Sequence, residues 1–178
     1  MAETWNNILY DLKLPVSWLI PAVLISIFVG AVCQIGNRAR RFRTCSGKIY
    51  LLYAIFFAYV RILIQMTIFS RAPGSRQGIS YILLETWGNS AKAHAFFIEN
   101  IMMFIPLGIL LPVIFRKMRK MSWCVGMGFV CSCGIEFVQL MTQRGYCQLD
   151  DVVTNTLGGL IGWVIWKGFS KSKMYHRK

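Results

Sequence analysis

The sequence predicts an all-α membrane protein: a polytopic bundle of about five transmembrane helices, with its amino terminus outside and its carboxy terminus in the cytoplasm. Three observations carry that prediction. Of the 178 residues, 56% are hydrophobic and only 7 are acidic, a composition foreign to a soluble domain. Five stretches approach the ~20 mostly apolar residues that cross a hydrocarbon core: residues 15 to 36, 49 to 70, 98 to 115, 122 to 143 and 151 to 168. The formal charge of +13 is not spread evenly but gathers in every second connection.

The first stretch, PVSWLIPAVLISIFVGAVCQIG, follows MAETWNNILYDLKLP, where Glu3 and Asp11 stand against Lys13. A secretory signal needs a basic leading region and a small-residue cleavage site, so the stretch is expected to stay as a helix. Beyond it come Arg38, Arg40, Arg41, Arg43 and Lys48. The connection between the third and fourth stretches carries Arg116, Lys117, Arg119 and Lys120, and the chain ends with Lys167, Lys171, Lys173, Arg177 and Lys178. Basic connections stay in the cytoplasm, which fixes the orientation. The acids agree with it: Glu3, Asp11, Glu85, Glu99, Asp150 and Asp151 fall on the outer side, and Glu136 lies inside the fourth stretch. This distribution also sets aside nucleic acid as the partner of the positive charge. Membrane lipids are the expected surroundings, and the bacterial cytoplasmic membrane is the expected location.

Four connections are short, so residues 1 to 178 are expected to form one domain. The exception is 71 to 97, RAPGSRQGISYILLETWGNSAKAHAFF. Its middle is apolar and ends in Tyr81 and Trp87, aromatics suited to the membrane surface, so it is expected to be an interfacial or re-entrant outer element. The cysteines form no C-x-x-C pair and only Cys147 is expected outside, which excludes a disulfide framework. His94 and His176 fall on opposite sides, and neither a metal nor a cofactor is expected.

Charges inside spanning helices cost roughly 2.5–3.5 kcal/mol at the centre, so each suggests a site or a partner. Arg61 and Glu136 lie at depths that differ by about 3 Å at the rise of an α-helix, and the two can meet, either as a packing ion pair or as part of a site. Helical spacing then gathers further polar groups near the outer end. Glu136, Gln139 and Gln143 share one face of the fourth helix. On the fifth, Asp151, Asn155 and Gly159 repeat every four residues, with Gly158 and Gly162 alongside as a small-residue seam for close helix contact. Asn100, Phe104 and Gly108 share a face of the third, where Pro106 frees a carbonyl and shapes the helix. The run RGYCQLDDVVTNT, 144 to 156, sets Arg144 and a tight connection before two acids. These suit the positive end of a helix dipole; Asp150 reads as an amino-terminal cap, and Asp151 as doing a different job.

The residues ENIMMFIPLGILLP at 99 to 112, IEFVQ at 135 to 139 and RGYCQLDDVVTNTLGGLIG at 144 to 162 resemble the VanZ-like family of bacterial membrane proteins. The likeness is close over about the last 80 residues and loose over the five-helix layout. By that match Asn100, Phe104, Pro106, Gly108, Glu136, Gln139, Arg144, Asp150, Asp151 and Asn155 are signature positions. One departure is that members often carry an Asn-Leu-x-Pro-Phe stretch before the third helix, where this chain has ISYILLETW. The resemblance implies a link to resistance against teicoplanin and related lipoglycopeptides, which act on lipid-linked cell-wall precursors at the outer membrane face.

Four readings of the polar residues follow. The first is a site for an amphiphile, such as a lipoglycopeptide or a lipid-linked cell-wall precursor. Its ligand-binding residues would be Asn100, Glu136, Gln139, Arg144, Asp150, Asp151, Asn155 and Arg61, with Phe104, Pro106, Gly108, Gly158, Gly159 and Gly162 shaping it. The second is an enzyme acting on a lipid headgroup, for which the cluster lacks a nucleophile with its base. The third is translocation of a lipid or small solute, which would need a homodimer because five helices are few. The fourth is a cluster that merely holds the bundle together. The amphiphile site, binding or masking a lipidic envelope target, is the reading the sequence favours.

Overall fold

The computed structural model describes residues 4–6, 8, 24, 47–74, 78–82, 87 and 90–175. Apart from Leu24, the expected first helix at 15 to 36 lies outside the described residues. The elements that follow are mostly helical: α1 (Gly47–Ile64), a π-helical turn (Gln65–Phe69), β1 (Ile79–Ser80), α2 (Ala91–Ile114), a 3-10 turn (Arg116–Arg119), α3 (Met121–Thr142), β2 (Cys147–Gln148) and α4 (Leu149–Tyr175). They fall into two compact units, one formed by Met1–Tyr10 with Thr67–Lys178 and the other by Asp11–Met66.

The second unit holds α1, whose run YLLYAIFFAYVRILI is apolar apart from Arg61 in its last turn. Such a helix suits a lipid or protein interior rather than a half-wet surface. The larger unit is built on α2, α3 and α4, with α4 packed chiefly on α2 and then on α3, while α2 and α3 touch each other far less. Thus α4 is the helix on which both α2 and α3 pack.

Among the described residues, three stretches are long and apolar enough to cross a membrane: Leu51–Phe69, Ala91–Ile114 and Met121–Thr142. The expected span at 151 to 168 is helical but is not among them. Its first turns carry Asp150, Asp151, Thr154 and Asn155, all buried, so its polar side faces its neighbours. A helix shielded in this way needs less apolar surface than one facing lipid.

The third predicted helix begins earlier than expected. Ser90 is its cap, in extended conformation (φ −106, ψ 145), with its hydroxyl accepting from the Ala93 N–H at 3.1 Å, the arrangement that satisfies an orphan donor at a helix start. Residues 91–97 therefore belong to α2 and not to the outer connection. What remains of that connection among the described residues includes β1, which pairs in parallel with β2, Ile79 against Cys147 and Ser80 against Gln148. Asp150 also departs from expectation, lying within the first turn of α4 rather than ahead of it.

Glycine decides how closely α2 and α4 approach. A Cβ on Gly108 would strike the Gly159 carbonyl, one on Gly158 the Ile101 carbonyl, and one on Gly162 the Ile105 carbonyl. Each obstacle is backbone of the facing helix, which cannot swing aside. Gly159 differs, since a Cβ there meets nothing within 4 Å; its carbonyl, not its missing side chain, belongs to the seam. We predict that Gly162→Ala or Gly158→Ala costs about 1–3 kcal/mol as an overpacking change, whereas Gly159→Ala is nearly neutral. Thermal unfolding of the purified proteins in one detergent checks this, and equal losses at all three positions would contradict it.

Candidate functional site

The site is assembled where α3 ends and α4 begins. Gln143 closes α3 in the left-handed conformation (φ 53, ψ 36), and the Arg144 N–H then returns to the Gln139 carbonyl at 3.0 Å. The chain turns through Gly145, forms β2 and enters α4. Glu136 takes advantage of this reversal, as its Oε2 accepts from the Gln148 N–H at 2.9 Å, a backbone donor just ahead of α4.

On α3, the spacing of three and four residues stacks Ser132, Glu136 and Gln139 on one buried face. Asp151, Thr154 and Asn155 of α4 are buried with them in the same unit. The links between helices are specific. Asn100 of α2 donates Nδ2 to Asp151 Oδ1 at 2.7 Å, Asn155 donates to Ser132 Oγ at 2.8 Å, and Ser132 donates to the Asp151 carbonyl at 3.4 Å. Neutral bonds of this kind contribute about 1 kcal/mol each net, and those to charged groups about 1.5–3 kcal/mol. Their larger significance is that losing one partner strands a buried polar group.

Two arginines divide the electrostatic work. Arg144 donates Nη1 to the carbonyls of Ile68 (3.3 Å) and Arg71 (2.7 Å), and its guanidinium lies 5.6 Å from the centre of the Phe69 ring. Gln139 adds Nε2 to the Thr67 carbonyl at 2.9 Å. The Thr67 and Ile68 carbonyls lie at the end of the π-helical turn, with no continuing helix to bond, and the Arg71 carbonyl just beyond it, so α3 and its turn clamp the stretch from Thr67 to Arg71. That clamp places the Arg71 side chain. Its Nη1 fills the space that a Cβ on Gly145 would occupy, and its charge acts on both Glu136 and Asp151.

A family model, VanZ/LLP1, matches residues 48–170, which is more than half of the chain. The chain belongs to the VanZ/LLP1 family. Among relatives, it is 33% identical over 84 residues to Protein VanZ of Enterococcus faecium, a match covering 46% of this chain and 49% of that protein. The chain thus spans about half the length of the curated relative it matches. No solved structure matches it.

The VanZ/LLP1 region contains every residue of the cluster. Of the residues singled out in the sequence, Asn100, Glu136, Gln139, Asp151 and Asn155 are tied into it, directly or through the turns it holds. Asp150 is buried beside them in the first turn of α4, and its carbonyl accepts from Thr154 Oγ1 at 2.8 Å. Arg144 belongs to the cluster through backbone carbonyls, as a clamp on the Thr67 to Arg71 stretch. Phe104 is fully buried, and Gly158 packs against its Cβ. Pro106 lies inside α2, where it cannot donate to the Met102 carbonyl. Arg61 lies on α1 in the other unit, and Arg71 of the larger unit acts on Glu136.

Sequence reasoning missed the part played by Gly145 and the placement of Arg71. The only signal for Gly145 was its position after Arg144 in a turn, which reads as ordinary turn chemistry. Burial and the neighbouring acids push the Cys147 thiol up from its ordinary value, so the one cysteine of this turn is a weak source of thiolate. Among the described residues no three His, Cys, Asp or Glu side chains are grouped to hold a metal. We predict that Gly145→Ala displaces the Arg71 guanidinium, the end of a flexible side chain that can swing aside, so that it destabilises the protein by no more than about 1 kcal/mol, and that the loss shrinks in an Arg71→Ala background. Additive losses in thermal unfolding would contradict this coupling.

Proposed function

We propose that this VanZ/LLP1 protein is a multi-pass protein of the bacterial cytoplasmic membrane. In this reading it binds the polar head of a lipidic envelope component at its outer face, and so lowers susceptibility to teicoplanin-type lipoglycopeptides by masking their target. The observation that carries the reading is the cluster itself: Glu136, Gln139, Asp151 and Asn155 are each at most 7% exposed in a unit whose α2 and α3 are apolar enough to span a membrane. Polar groups in such a setting are expensive to keep and mark sites by default.

Charge supports the outward direction. Arg116, Lys117, Arg119 and Lys120 occupy the connection from α2 to α3, at the opposite end of α3 from the cluster. Basic connections remain in the cytoplasm, which directs the turn at 143–148 outward. Exposed Ile79, Tyr81, Ile82, Tyr146 and Leu149 near the strand pair suit the boundary between headgroups and acyl chains. An amphiphile held there would set its head against the cluster and its chain along the helices.

The test is binding of fluorescent teicoplanin to intact cells expressing the wild type or Asp151→Asn at equal membrane levels. The wild type is expected to lower binding severalfold relative to cells without the protein, and the variant to restore most of it. If wild-type and empty cells bind alike, the reading fails.

A further inference from the structure

The side-chain amides of the cluster have a fixed sense. Gln139 Nε2 faces the Thr67 carbonyl, which can only accept, so the oxygen of that amide must point the other way. Ser132 gives its single hydrogen to the Asp151 carbonyl and must therefore accept from Asn155, which orients the second amide. Both remaining amide oxygens, Gln139 Oε1 and Asn155 Oδ1, are buried with no hydrogen-bond donor among the described residues, on residues that are each 2% exposed. Gln139 Oε1 lies 3.2 Å from the Cβ position of Gly145, the place also filled by the Arg71 guanidinium, and so it points toward the charged part of the cluster.

The charges lean the same way. Glu136 and Asp151 share Arg71 as the cation acting on both, while Arg144 turns its Nη1 to two backbone carbonyls. Among the described residues the cluster buries three carboxyl groups, those of Glu136, Asp150 and Asp151, and the amide groups of Asn100, Gln139 and Asn155 each already commit one N–H within the protein. A phosphate would bring more acceptors to a place already rich in them. The fitting ligand brings N–H donors and one positive charge.

Resting on the reading of the cluster as a headgroup site, we propose that it recognises a primary ammonium group, received by Glu136, Asp151 and the Gln139 amide oxygen beside Arg71. The ammonium can belong to a membrane lipid's headgroup or to a free amine.

The test uses native mass spectrometry on the purified full chain with three probes: phosphatidylethanolamine, its N-acetylated form, and phosphatidylcholine. The ethanolamine lipid is expected to bind at least about tenfold more tightly than the other two, the ratio that one well-placed charged hydrogen bond produces. Glu136→Gln and Asp151→Asn, once shown to be folded by thermal unfolding, are expected to abolish that preference. The comparison of the three probes rests on the wild type alone and stands even where a variant does not fold. Displacement of the lipid by free ethanolamine would support the proposal with a soluble amine as a source, and failure to displace would support it with the lipid as the source. Equal binding of all three probes, or tighter binding of phosphatidylglycerol, would overturn the ammonium proposal and leave the headgroup reading in place. Binding of no lipid at all would overturn both.

Discussion

Two carboxylates buried side by side are the constraint on which this structure depends. Glu136 and Asp151 come from different helices, lie within the same few turns, and are almost wholly removed from solvent. Charges so placed require compensation from fixed partners. The Gln148 N–H answers one carboxylate and Asn100 the other, while Arg71 supplies charge to both. Arg71 in turn lies on a segment that stays in place because Arg144 and Gln139 hold its carbonyls. The remainder of the site can be understood as the support this arrangement needs.

The glycine seam is part of that support. Asn100 reaches Asp151 only because α2 and α4 run close together, and they do so because Gly108, Gly158 and Gly162 place backbone against backbone. In a membrane, where water does not drive helices together, such small-residue contacts and a few interhelical hydrogen bonds carry the association. The polar end and the packed seam of α4 are therefore one design, since loosening the seam would move the Asn100 amide away from its carboxylate. Burial of the polar side of α4 also accounts for its modest apolarity beside α2 and α3.

Much of this was legible in the residues. The four-residue repeat on α4 and the E-x-x-Q spacing on α3 gather the right side chains, because helical periodicity is a local property that sequence reports directly. The start of α2 was not legible from hydrophobicity, since AKAH carries little apolar signal; the Ser90 cap was the better marker. The pairing of Ile79–Ser80 with Cys147–Gln148 is two residues long, too short for any periodic pattern to show. Arg71 was visible as a cation, but its position depends on an approach between segments more than 70 residues apart. Arg144 read as a ligand-binding residue, and nothing in the sequence says that its guanidinium also turns Nη1 to backbone carbonyls. Both features concern tertiary placement, which spacing along one helix cannot encode.

The most direct test of this account is a double-mutant cycle between Arg71 and Glu136. Thermal unfolding of the wild type, Arg71→Gln, Glu136→Gln and the double variant would be measured in the same detergent. If Arg71 balances the buried carboxylates, Arg71→Gln alone is strongly destabilising and adding Glu136→Gln recovers part of the loss, with a coupling of about 1–3 kcal/mol. Strictly additive losses would mean that the two charges do not sense one another, and the arrangement proposed to organise the site would be wrong.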